Sequence, residues 1–377
     1  MHIVYNGWFW DQPHTGSGQY IRHLLPAIRR LDAALTLTLI LPAGAHADAV
    51  PAHVNVVHVK GSRSNLGKVW FEQRTFPAAA ARCKADIVHV PYWGAPLSSP
   101  AKLITTILDV IPLTIPVYAS GFRARLYTSL VMATARGAAQ TIAISDAAKA
   151  DIVAQLGLSA DSITTTHLAV DEAYHPRLGI ERDAAVKAKY DLPDTFALYL
   201  GGFDVRKDVR TLLEAYTYVG RAQGDESPLV IAGREPAWGT PLFPDLRRAV
   251  TDLGIEPYVR WIGVIDEADK PSLLRLASVF AFPSVAEGFG LPVLEALACG
   301  TPVIACDIPV MREITDDAAY LVKPGDSRAL AGALIALLIQ DPLREEQITR
   351  GLSVATRYRW SKTARATLAV YEQVMAL

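Results

Sequence analysis

Residues 284–303 read SVAEGFGLPVLEALACGTPV (Ser284–Val303), and the order of chemistry along this stretch decides the fold. The run VFAFPS, which ends at Ser284, is a short apolar segment suited to a buried strand. A loop with Gly288 and Gly290 follows. Pro292 then suits the first turn of a helix, where its missing N–H costs nothing, and Gly300 suits the stop. Leu294, Leu297 and Ala298 have the spacing of a buried helical face and turn Glu295 away from it, while Glu287 stands just before the glycines. Free N–H groups at a helix N-terminus, together with the macrodipole, favour phosphate. The two carboxylates can accept hydrogen bonds from sugar hydroxyls flanking such a phosphate. An acid/base pair of the glycoside-hydrolase kind and a simple improvement of the helix dipole by Glu295 are the alternatives.

The same alternation runs along the whole chain. Strands are expected at HIVYN, LTLTLIL, DIVHV, LITTIL, TIAIS, ALYLGG, LVIAG, VRWIG, VFAFPS and PVIAC. Helical patterns lie between them at Gln19–Leu31, Ala147–Leu156, Val209–Val219 and Pro292–Cys299. Strand–helix alternation of this kind predicts α/β architecture with parallel sheets covered on both faces. The polar segment VDEAYHPRLGIERDAAVKAKYDLPDT divides the run into halves of five or six strands each, matching two Rossmann-like domains. The expected boundaries are 1–170, a linker at 171–195, and 196–359, with a helix at about 360–377. Ligands in open α/β sheets bind beyond the carboxyl ends of the strands, so the crevice between the halves is the expected site.

Bulk properties narrow the class. The 377 residues exceed one ordinary core; 51% are hydrophobic, 20% are charged and the net charge is −1, as in a soluble globular protein. Cys83, Cys299 and Cys306 show no metal-ligand spacing and fit a reduced, cytoplasmic setting. The N-terminus reads as a first strand, not a signal peptide, and the apolar run Ala329–Ile339 is too short to span a bilayer. From Lys60 to Arg136 ten Lys/Arg face three Asp/Glu, a net of +7 that leaves −8 elsewhere. This basic half suits anionic substrates or an anionic leaflet, or is a solvated surface. Nucleic acid is not an expected partner.

Two further glycine turns stand before helices. YLGGFDVRKDVRTLLEAY places Arg206 and Lys207 at a turn, a natural clamp for a diphosphate, although paired cations after a turn are also ordinary surface. TGSGQYIRHLL carries Gly16 and Gly18, a weak signal alone. His14, His167 and His175 have no partner at telling spacing and read as surface or packing residues. Tyr92 and Trp93 in VPYWGAPL can stack on a sugar or pack in the core.

These segments, in this order, resemble glycosyltransferase family 4, the retaining, metal-independent enzymes of GT-B fold. Pro283–Ile304 follows PSxxEGFGLPxLEAxAxGxPVI almost without a break, and TIAISDAAKADI, GGFDVRKD, VRWIGVIDEADKPSLLRLASVFAFPS and AYLVKPGD extend the likeness. The resemblance implies a hexosyltransferase that moves a sugar from a nucleotide-diphosphate donor to a saccharide or lipid-linked acceptor with no cofactor. It implies that Glu287 binds donor-sugar hydroxyls and Glu295 the ribose, and that Ser284, Gly288, Phe289, Gly290 and Leu291 line the sugar and diphosphate. Arg206 and Lys207, with Gly202 in the same loop, would neutralise the leaving diphosphate. The stretch around Val264 would hold the base. Gly16 and Gly18 would let backbone close on phosphate and acceptor, and Asp109 would orient acceptor or donor sugar. Leu108 stands where many relatives have histidine, and Gly202 where they often have arginine; Asp109 then has the alternative of capping a strand-end turn.

In this resemblance neither glutamate need titrate near neutrality, because the leaving phosphate helps deprotonate the acceptor. LDVIPLTIP looks like transferases of bacterial surface-polysaccharide assembly, so GDP-mannose is the preferred donor and a UDP-sugar such as UDP-glucose the runner-up. A sugar-nucleotide epimerase and a non-catalytic sugar-nucleotide-binding protein are the rival classes. RYRWSKTARATLAVYEQVMAL should be a helix pair whose end crosses back to the N-terminal domain. In SGFRARLYTSLVMATARGA the apolar Phe122, Leu126 and Leu130 share a side, with Arg123 and Arg125 elsewhere. Such a helix either packs its apolar side inward or rests on the inner face of the membrane as a peripheral contact.

Overall fold

The computed structural model describes residues 1–119, 121–223 and 226–376, without the side chains of 119 and 122–124. The chain divides into two compact units, Met1–Leu168 with Arg359–Leu377, and Ala169–Tyr358.

The sheet of the first unit is built from β1 (His2–Asn6), β2 (Thr36–Leu41), β3 (Val54–His58), β4 (Ile87–Val90), β5 (Lys102–Ile107), β6 (Gln140–Ala143) and β7 (Ile163–Thr165). Among the described residues it has seven strands in the order β3-β2-β1-β4-β5-β6-β7, with every pairing parallel. Ile3 pairs with Leu37 on one side and Ile87 on the other, so the direction of strand addition reverses between β1 and β4. In the second unit β8 (Ala197–Leu200), β9 (Leu229–Ala232), β10 (Val259–Gly263), β11 (Val279–Phe282), β12 (Val303–Cys306) and β13 (Ala319–Val322) form a parallel sheet in the order β10-β9-β8-β11-β12-β13. Its reversal falls between β8 and β11. Central strands such as ALYL and VFAF are buried throughout, as required of parallel strands with helices on both faces.

All ten expected strands form, and β3, β7 and β13 are added to them. β7 has three residues, and β3 is interrupted by Asn55; β13, AYLV, is a short apolar run outside the expected set, and both it and β3 are only part-buried. The segment 171–195 is not a free linker. It holds the helix Asp183–Lys189 and belongs to the second unit. Its polar residues are ion-pair partners: Arg275 binds the Asp183 carboxylate, and Arg182 and Lys189 meet Asp269 at 2.8 and 2.6 Å. The C-terminal stretch is one helix, Trp360–Ala376, rather than a pair. It packs along the helix Gly16–Leu31 of the first unit. There Tyr371 reaches beneath the sheet, where its hydroxyl meets His89 Nδ1 at 2.6 Å and the Tyr5 hydroxyl at 3.0 Å.

The helix Ser327–Ile339 buries Leu330, Leu334 and Leu337 against the helix Val209–Gln223. Among the described residues no helix is long and apolar enough to cross a membrane. In the helix Phe122–Arg136 the side chains of Phe122 and Arg123 lie outside the described residues. Leu126 is 61% exposed rather than packed inward.

Candidate active site

The decisive loops of the second unit leave the carboxyl ends of β8 and β11, the two strands between which the sheet reverses. That is the position where open α/β sheets bind ligands. After β8 the chain turns through Gly201 and Gly202 into a tight turn at Val205–Lys207, and Asp208 takes a left-handed conformation (φ 44°) before the helix Val209–Gln223. After β11 comes the glycine loop. A backbone bond joins the two: Val285 N–H donates to the Arg206 carbonyl at 2.8 Å. Gly290 (φ 103°) opens the helix Leu291–Cys299 with no side-chain cap, and Gly300 (φ 78°) closes it. A Cβ on Gly290 would stand 2.4 Å from Met311, so both backbone and space demand glycine there.

This junction brings Arg206, Lys207, Ser284 and Glu287 together. Oε1 of Glu287 accepts from the Lys207 ammonium, from Arg206 Nη1 at 2.8 Å and from the Ser284 hydroxyl at 2.7 Å. Arg206 also donates to the Ala286 carbonyl at 3.1 Å and pairs through Nε with Asp204 at 3.2 Å. The Lys207 ammonium lies 4.9 Å over the Phe282 ring. Two cations thus balance two carboxylates in a nearly dry pocket. Burial works to raise the Glu287 carboxyl, but the charges of Lys207 and Arg206 outweigh it and hold the group below its usual range. Burial likewise lowers the Lys207 ammonium, opposed by Glu287.

Glu295 has different surroundings. Burial raises its carboxyl to about 7; Lys270 opposes the rise, Glu267 and Asp171 add to it, and the Tyr174 hydroxyl is hydrogen-bonded to it. The transfer chemistry expected from the resemblance needs neither glutamate to titrate near neutrality, but Glu295 is placed there because it has too few cations to offset its desolvation. Ser284, Gly288, Phe289 and Gly290 are buried and Leu291 is half-buried; the Phe289 ring packs edge-on against Tyr358 at 5.8 Å. Gly202 is exposed, and a Cβ there would meet nothing closer than 3.4 Å, so no steric demand selects glycine at that position. Val264, just beyond β10, is 58% exposed.

In the first unit Gly16 and Gly18 open the helix Gly16–Leu31, with Thr15 Oγ1 accepting from Gly18 N–H at 3.1 Å. A Cβ on Gly18 would lie 2.0 Å from the Gln12 carbonyl oxygen. Gly18 therefore lets the helix start pack closely on its own preceding loop. Gly16 is exposed, and its Cβ would make an ordinary 3.6 Å contact with Leu108. Asp109 Oδ1 accepts from Ile111 N–H at 3.1 Å, the turn-capping role. Trp93 donates its indole N–H to the Val131 carbonyl at 3.2 Å and packs in the core. His175 accepts from two backbone N–H groups in an exposed turn, and His14 is exposed. Residue patterns had not singled out Asp204 or Tyr174. The first lies two residues before Arg206, and nothing in its spacing separates it from an ordinary turn aspartate.

Two Rossmann-like parallel sheets, with the C-terminal helix returned to the first, define the GT-B fold of glycosyltransferases. Sucrose-phosphate synthase from Thermosynechococcus elongatus shares it, with TM-score 0.80 at 20% identity over 100% of this chain and 99% of that one. Residues 14–174 match the family described as Glycosyltransferase Family 4 and residues 182–353 that described as Glycosyl transferases group 1. The chain thus carries a match to one glycosyltransferase family in each half, and it is a hexosyltransferase. O-antigen chain mannosyltransferase B of Escherichia coli is 28% identical over 375 residues, 96% of each chain. Phosphatidyl-myo-inositol mannosyltransferase of Mycobacterium leprae (strain TN) is 35% identical over 222 residues, 58% of this chain and 52% of that one.

Proposed function

We propose that the chain is a retaining mannosyltransferase that uses GDP-mannose, without a metal ion, and glycosylates a saccharide or lipid-linked acceptor. The junction of Arg206, Lys207 and Glu287 at the sheet reversal carries this reading, because it sets two cations where a departing diphosphate needs them. In the resting protein those cations are shared with Glu287 and Asp204. A donor diphosphate draws them over, and Glu287 is left to accept from sugar hydroxyls. The bond between the anomeric carbon and the diphosphate oxygen breaks, and the acceptor oxygen bonds to the same face of that carbon. The acceptor proton passes to the departing phosphate. Glu295 holds the ribose and the stretch at Val264 the base; the first unit, with Asp109 at its strand-end turn, takes the acceptor. The choice of mannose rests on the names of the two relatives at 28% and 35% identity.

A melting-temperature screen in EDTA against GDP, UDP, ADP and their common sugar conjugates tests the reading. GDP-mannose should raise the melting temperature, by about 2.7 kcal/mol of stabilisation at a hundredfold excess over its dissociation constant. Lys207→Ala should abolish the rise. A rise with UDP-glucose alone overturns the donor, and no rise with any nucleotide overturns the site.

A further inference from the structure

The first unit has its own reversal, between β1 and β4, and a cluster that the donor chemistry does not use lies beyond the carboxyl ends of those strands. Phe9 follows β1 and Tyr92 follows β4. A π-helical turn, Phe71–Thr75, presents Glu72 beneath them, and such turns are frequent at functional sites. The Lys68 ammonium stands 5.1, 5.2 and 5.1 Å from the ring centres of Phe9, Tyr92 and Tyr127. It donates to the Tyr127 hydroxyl at 3.0 Å and faces Glu72 at 3.5 Å; Tyr127 in turn donates to Glu72 at 3.2 Å.

Lysine has three N–H donors. Tyr127 and Glu72 account for two, and the third has no partner among the described residues. The Lys68 side chain is 23% exposed, whereas Glu72 beneath it is fully covered. The buried Tyr92 hydroxyl interacts with the Glu72 carboxylate and with the Asn6 side chain. Gly94 lets the Tyr92 ring and Glu72 pack directly against the backbone: a Cβ there would sit 2.4 Å from the Tyr92 ring and 2.5 Å from Glu72 Oε1. A partly exposed, caged cation, aromatic faces and a covered carboxylate at a sheet reversal form a built site. An anion would have to pull Lys68 away from Glu72, whereas a neutral polyol can bind with that pair intact.

We propose that Lys68, held by Glu72 and Tyr127 among three aromatic rings, is an acceptor-binding residue: its third N–H donates to a hydroxyl of a neutral saccharide whose apolar face rests on Phe9. Glu72 is the positioning residue beneath it. This rests on the reading of the chain as a glycosyltransferase whose first unit takes the acceptor. Saturation-transfer NMR on the full chain, with methyl α-mannopyranoside and methyl α-glucopyranoside as probes, tests it. At least one glycoside should bind saturably. Its affinity should fall about tenfold in Lys68→Met, the loss expected for one charged hydrogen bond. The double variant Lys68→Met/Glu72→Gln leaves no buried charge unpaired and should show the same fall, with the nucleotide-induced melting shift unchanged. Undiminished glycoside binding in the double variant overturns the inference. So does the absence of glycoside binding to the unaltered chain while a nucleotide still raises its melting temperature; if neither binds, the functional reading falls with it. Competition by inorganic phosphate that depends on Lys68 would overturn the neutral-ligand assignment.

Discussion

Glu287 and Glu72 each stand near a lysine at the reversal of a parallel sheet, Glu287 in the loop after β11 and Glu72 in the π-helical turn between β3 and β4, yet the protein treats them oppositely. Glu287 is held below its usual range. Glu72 is pushed up to about 7, chiefly by burial, with Lys68 and the hydroxyls of Tyr92 and Tyr127 opposing. The difference lies in the count and distance of counter-charges. Glu287 touches two cations and a serine hydroxyl, whereas Glu72 has one ammonium at 3.5 Å, itself shared with a phenol. Topology supplies the same crevice twice, and the charge balance decides what each can hold. The second unit is rich in cations that a diphosphate can claim; the first offers rings and one restrained donor.

The largest effect that would break this comparison is expected at Glu287. Glu287→Gln removes a carboxylate from two largely buried cations and should cost roughly 3–5 kcal/mol at neutral pH in urea denaturation. A loss below 1 kcal/mol would mean that Asp204 and water already balance them. Stability from Glu287 is present above its unfolded value near 4.5 and is lost as the pH falls through its lowered folded value. Glu72 works the other way. Its carboxyl ionises near 4.5 when unfolded and about 7 when folded, so between these the folded state holds more protons and stability falls as the pH rises. Glu72→Gln should therefore remove a decline on the order of 3 kcal/mol between pH 5 and pH 8. An unchanged slope would show that Lys68 compensates the burial fully. A smaller contrast sharpens the picture within the first unit. Gly18→Ala should destabilise by about 2 kcal/mol through its clash with the Gln12 carbonyl, while Gly16→Ala should stay within about 0.5 kcal/mol. Melting curves of the two variants decide it.

The loops after β8 and β11 were legible in the sequence because their elements are local. Ser284–Val303 contains its own strand end, glycine turn and capped helix, and YLGGFDVRKD repeats the plan. What the sequence hid was the bond between them, since Lys207 and Glu287 are 80 residues apart and meet only because β8 and β11 are neighbours. The cluster around Lys68 was hidden more completely, with only Tyr92 singled out by residue patterns. Its members come from positions 9, 68, 72, 92 and 127, and Lys68 with Glu72 has the four-residue spacing of any exposed helical ion pair. Segment 171–195 misled in the opposite sense. Its polarity suggested a tether, but those charges are used in bonds to Asp269 and Arg275, partners that local composition does not reveal.

The returning helix Trp360–Ala376 also sets the timing of folding. Its Tyr371 supplies a hydrogen bond to each of two buried groups of the first sheet, His89 and Tyr5, and its Thr363 hydroxyl bonds the His167 carbonyl at 2.7 Å. On a ribosome, which delivers the chain from its N-terminus, residues 169–358 can close their own core while the earlier sheet still waits for its last helix. The half that is made first is finished last, and a nascent chain halted before Trp360 carries a completed second unit and a first unit whose polar centre is still open.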